Sequence, residues 1–179
     1  MGWFGWTMTW VVVIIVIASS LFFFNVFHLD IKSLFQDEDL VGSTNQKDIS
    51  QESMEEIDRV RATVGSENTE ISRFIATMHE FYNNTTGYGG INNLDWDEQR
   101  GQAETVIDKI EQLKTEVTDE SLLADLNHIV DIANRISDEQ DSDIVRDLHR
   151  YFHDLDIALN NYTTFDRIWN VTETLKDIE

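Results

Sequence analysis

Cysteine occurs nowhere in the 179 residues. Its absence removes disulfides, thiol nucleophiles and thiolate metal sites, and is compatible with either side of a bacterial membrane. Proline is missing as well, and glycine is scarce, with eight in the whole chain. A chain without the strongest helix breaker and with few turn-formers is biased toward an all-α fold. Cations are the third shortage. Thirteen Lys and Arg stand against 34 Asp and Glu, for a formal net charge of −21. Residues 1–47 hold two Lys and four acids, so all but two of those net charges fall on residues 48–179. Such a surface repels phosphate backbones and anionic headgroups, which argues against nucleic acid as a partner. A plain solubility adaptation to salty surroundings accounts for the same excess.

What the chain has in abundance sits at its start. From Trp3 to Phe27 no side chain carries a formal charge, and residues 10–27 are apolar almost without interruption. A helix apolar on every face has no side to show to water, and eighteen such residues suffice to cross a bilayer. Trp3, Trp6 and Trp10 fall on one helical face, where indole rings suit the headgroup layer. No Lys or Arg precedes the run, and it ends in Phe22, Phe23 and Phe24 rather than small residues, so it is expected to stay as an uncleaved anchor. The lipid bilayer is thus the first expected partner, through residues 3–27. The side of the membrane stays open. Lys32 just after the span favours a cytoplasmic domain, while a cysteine-free acidic domain suits the outside.

Residues 1–35 are therefore expected to form a transmembrane anchor with a juxtamembrane helix. Residues 36–49, polar and holding Gly42, form a tether. Residues 50–179 are expected to form an acidic, antiparallel four-helix bundle with a short terminal helix. Ser50 is a fitting N-cap. Behind it Ile57, Val60, Val64, Ile71, Phe74, Met78 and Phe81 keep one helical phase across Gly65, which predicts one long helix bent near that glycine. Glu67 interrupts the stripe and is expected beside the bend, in reach of water. Residues 83–94, with three glycines and four asparagines, are expected to be the one long loop. Its Gly87, Tyr88, Gly89 and Gly90 are not a phosphate loop, because no strand precedes them and no Lys–Ser/Thr follows. Tyr88 is the loop's candidate for contact with a partner. The glycosylation pattern at Asn83, Asn84, Asn161 and Asn170 is too common by chance to carry weight.

Asp95 with Glu98 predicts the next helix start, and Ala103, Val106, Ile107, Ile110, Leu113 and Val117 its inner face. Residues 118–121 cap a third helix carrying Leu122, Leu126, Ile129, Ala133 and Ile136. After the acidic turn 137–143, a fourth carries Ile144, Val145, Leu148, Phe152, Leu155 and Leu159. Phe165, Ile168, Trp169 and Leu175 suggest a short last helix. Helices joined by short turns lie antiparallel and bury their apolar stripes against one another.

Chemistry-bearing groups are few. His28 adjoins the span, His128 faces solvent on the helical wheel, and His79 borders the apolar stripe of the first long helix. His149, His153, Asp156 and Asn160 form one polar stripe at i, i+4, i+7 and i+11. Two histidines one turn apart with a carboxylate beyond could ligate a metal, so His149, His153 and Asp156 are the candidate ligands. The plainer alternative has both histidines half-buried and bonded to Asp154, Asp156 or acids of a neighbouring helix. The pattern lacks the Glu-x-x-His pairs of di-iron bundles and the His-Glu-x-x-His of zinc proteases. There is no triad spacing and no cofactor motif. The sequence therefore points to a single-pass, membrane-anchored, non-enzymatic module that binds another protein. A ligand- or metal-sensing bundle using the histidine stripe is the alternative, and a metal-dependent enzyme the third reading.

Overall fold

Helix starts in this chain are set by short polar side chains that accept the first free backbone N–H groups. Ser50 accepts from Ser53 N, Asp95 from Asp97 N and Glu98 N, Asp119 from Leu122 N, and Asp141 from Asp143 N. The computed structural model describes residues 49–176 and the backbone of residues 44–45. The expected span with Trp3, Trp6, Trp10 and His28, and most of the tether, lie outside the described residues. Among the described residues no helix is long and apolar enough to cross a membrane.

The α-helices are α1 Gln51–Val60, α2 Thr69–Thr86, α3 Trp96–Leu113, α4 Glu120–Asp138 and α5 Ser142–Leu159; the four caps start all but α2, which begins after Asn68 without a side-chain cap. A π-helical stretch, Arg61–Gly65, carries α1 on towards α2, so residues 51–86 make one rod with an irregular middle. The irregularity falls at Gly65, as the preserved phase predicts. Its cause is packing. A Cβ on Gly65 would lie 2.4 Å from the backbone oxygen of Leu159, so only glycine lets the end of α5 come this close. Glu67 is exposed beside this stretch.

The domain is an all-helical bundle. α2 packs on α5, α5 on α4, and α4 on α3, with a lighter contact between α3 and α2. The α2–α5 pair is antiparallel: Ser72, His79 and Asn83 meet Asn160, Asp156 and His149 in reversed order. The stripes on α4 and α5 are buried as expected, from Leu122 to Ile136 and from Ile144 to Leu159. On α3, Ala103, Val106 and Ile110 are buried, with Ile107 and Leu113 at the margin.

Four expectations need correction. The inner face of α2 is not centred on Phe74 and Phe81, which are only partly buried. Ile71 and Met78 are buried as expected, but the face they share is completed by Ser72, Ile75, His79, Tyr82 and Thr86, all buried. Apolar periodicity passes over a face that is half polar. Second, α2 runs on to Thr86, through residues assigned to the loop, because Asn83 and Thr86 bond inward. The loop itself is a tight 3₁₀ stretch, Gly87–Asn92, in which Tyr88 stands fully exposed at φ 51° and Gly89 at φ 85°. Third, among the described residues no helix follows α5. Residues 160–176 run as turns around a two-residue strand, β2 Arg167–Ile168. Fourth, β2 pairs antiparallel with β1 Thr44–Asn45, so part of the stretch assigned to the tether joins the domain.

The non-helical tail is held by two buried carboxylates. Asp154 accepts from Trp169 N–H at 2.9 Å and Val171 N–H at 3.2 Å. Asp125 accepts from Glu173 N–H, Thr174 N–H and the Thr174 hydroxyl, at 2.8, 2.9 and 2.6 Å. A tail whose N–H groups bond to carboxylates from the bundle cannot also close them into helical turns. Trp169 is then covered by two guanidiniums, Arg150 and Arg167, at 4.5 and 4.8 Å from the ring centre.

Candidate functional site

The antiparallel pairing of α2 and α5 brings three of the five histidines together. His79, on the inner face of α2, lies 5.7 Å from His149 and 5.1 Å from His153, measured between ring centres, and those two are 6.5 Å apart. Tyr162, just past α5, sets its ring nearly perpendicular to His79 at 4.8 Å and to His153 at 5.9 Å. His79 is 2 % exposed and His153 7 %, whereas His149 is half-buried.

Most polar atoms of this cluster bond to one another. Asp156 Oδ2 lies 2.8 Å from His79 Nδ1, and its Oδ1 accepts from the Asn160 amide at 2.9 Å. A neutral His79 therefore carries its proton on Nδ1, leaving Nε2 to accept from the Asn83 amide N–H at 2.9 Å. The Asn83 carbonyl then accepts from His149 Nε2–H, also at 2.9 Å. The Thr86 hydroxyl gives its one proton to Tyr82 O at 2.7 Å, so His149 Nδ1, 3.2 Å from that oxygen, gains no donor from it. The result is one directed chain: Asp156, His79, Asn83, His149. His153 stands beside it, with Nδ1 3.1 Å from Asp154, the carboxylate that holds the tail.

The electrostatics favour a neutral His149 ring. Burial pushes the His149 imidazole down to about 3, and the neighbouring His79, His153 and Arg150 push in the same direction. Deeper in, burial raises the Tyr82 hydroxyl, which lies against Phe152 in a stacked pair at 5.5 Å.

The three candidate metal ligands are thus neighbours without a common focus. Asp156 addresses His79, His153 addresses Asp154, and His149 addresses Asn83. Among the described residues no three His, Asp or Glu side chains are arranged to hold a metal ion. His128 is exposed, as the wheel predicts, and stacks on Tyr151 at 4.9 Å. Tyr88 is remote from this chemistry and projects into solvent. Sequence reasoning missed His79, Asn83 and Thr86 as members of the cluster. The available signal was the spacing of Ile75 and Tyr82, seven residues apart, with His79 between them at i+4 and i−3 on the same face.

These features define a class: an acidic helical bundle whose core contains a histidine–carboxylate–amide network. No protein family, curated relative or solved structure matches the chain.

Proposed function

We propose that the protein is a single-pass, membrane-anchored, non-enzymatic module whose acidic bundle docks a partner protein. The observation that supports this most is the engagement of His79. A catalytic imidazole must present a free nitrogen to a substrate, whereas both nitrogens of His79, and Nε2 of His149, bond within the domain. Use of His149, His153 and Asp156 as a metal sensor would require breaking those bonds. What the domain offers outwards is charge: exposed Asp and Glu on every helix. Like-charged surfaces stay apart, so a protein that docks here carries basic residues, and the encounter weakens with salt. The apolar run at residues 3–27 supports tethering of this surface at a membrane.

Chemical cross-linking in intact membranes, followed by an alkaline wash, tests the reading. The chain is expected in the washed pellet, joined to a second polypeptide. Recovery in the supernatant overturns the anchor, and cross-links to its own copies alone overturn the partner.

A further inference from the structure

An open groove of about 630 Å³ runs between the α1–α2 rod and the end of α5. Its floor is small: Gly65, Ser72 and Ala76 leave the space, and Leu159 lies beneath. A volume of this size is ordinary for a small-molecule site, for which about 300–1,000 Å³ is typical. Arg61 and Arg73 line it, twelve residues apart on the rod, in a chain with 13 cations for 34 acids. Arg61 is engaged on two sides, donating from one terminal nitrogen to Asp58 at 2.8 Å and from the other to Ile157 O at 2.9 Å. Its Nε–H is buried and has no partner among the described residues. Arg73 is exposed and makes no ion pair with any described residue. Nearly every other arginine of the bundle is matched by an acid three or four positions away on its own helix.

We propose that this groove binds a hydroxylated monocarboxylate of the sugar-acid class, with Arg73 gripping the carboxylate. The guanidinium fork pairs two parallel N–H donors with the two oxygens of one carboxylate. A dianion such as phosphate meets the net field of a strongly negative domain twice over, so one negative charge suits the site better. Asp156 on the wall confines the acid group to the arginine side. The rest of the lining mixes carbon surface, from Ala76 and Leu159, with the hydroxyl and amide groups of Ser66, Thr69, Asn161 and Tyr162. Such a lining matches a ring that carries both C–H faces and hydroxyls. The ligand also has a route to the core. Tyr162 and Asp156 line the groove and both touch His79, so occupancy changes the surroundings of that ring.

The test is calorimetric titration of the full-length chain in detergent with D-glucuronate, D-glucose and inorganic phosphate. Imidazole resonances are followed in parallel. Glucuronate is expected to bind saturably and to shift the His79 signals, glucose to bind far more weakly, and phosphate to bind less tightly than glucuronate. Arg73→Gln is expected to weaken glucuronate by about tenfold or more, as loss of a bidentate charge-assisted pair requires. Arg73 is exposed, so the variant folds. Arg135→Gln, which removes an exposed arginine near Glu139 on α4, is expected to leave binding unchanged. No saturable glucuronate binding, equal binding of glucose, tighter binding of phosphate, or equal loss in the two variants would each overturn the proposal.

Discussion

His149 shows how one side chain sets a pH response. In the folded chain its ring titrates near 3, against 6.5 for an ordinary imidazole. Between those values the unfolded chain binds a proton that the folded chain does not, so stability falls as the pH drops through that window. Asp125 acts in the opposite sense. Burial raises its carboxyl despite the bonds from Thr174 and Glu173, so acid favours the fold through this group, but only near the carboxylate range. The upper part of the window therefore belongs to His149. Gln at this position keeps an N–H for the Asn83 carbonyl and removes the titration. Thermal melts from pH 6.5 to about 5 are expected to fall less steeply for His149→Gln than for the parent. Parallel slopes would show that the ring is not held neutral by its surroundings. At this scale the sequence was informative about type and blind to partners. The spacing of His149, His153, Asp156 and Asn160 announced a polar stripe, and Asn160 does bond to Asp156. The main partner, His79, is 77 residues away from Asp156 in sequence. No local pattern encodes a contact of that range.

Elements followed their signals where caps and stripes agreed. The Asp95, Asp119 and Ser50 starts were legible because a short acceptor side chain before an apolar period has one common use. The tail was not. Phe165, Ile168, Trp169 and Leu175 have helix-like spacing, yet Asp154 and Asp125 capture the backbone N–H groups that a helix there would need. Removing one of these acceptors leaves buried donors unsatisfied, at about 1–3 kcal/mol for each orphaned group. Asp154→Ala is thus expected to speed proteolytic cleavage within residues 160–176 while the helical circular-dichroism signal persists. An unchanged cleavage rate would mean that the carboxylate is not the latch. Gly65 makes the complementary case against Leu159, the last residue of α5. Its Cβ-bearing variant meets backbone rather than a side chain that can turn away. Gly65→Ala is expected to cost about 1–3 kcal/mol by forcing the rod from Leu159, read as a lower denaturation midpoint. A neutral or stabilising outcome would contradict the close approach.

On the scale of the whole molecule, the exposed acids on every helix are the surface that the proposed basic partner would meet. The core needs no help from that charge: Leu126, Phe152 and their neighbours are fully buried. The all-helical class was legible from what is missing, proline above all, together with four apolar stripes. A dedicated binding surface was not, because it depends on which charged side chains adjoin in space. The most direct measurement is native mass spectrometry of the full-length chain extracted from its own membranes in mild detergent, prepared at low and at high ionic strength. The account predicts a complex at low ionic strength that contains a second, different polypeptide and dissociates as salt is raised. The chain found alone, or only with copies of itself, at both ionic strengths would contradict it.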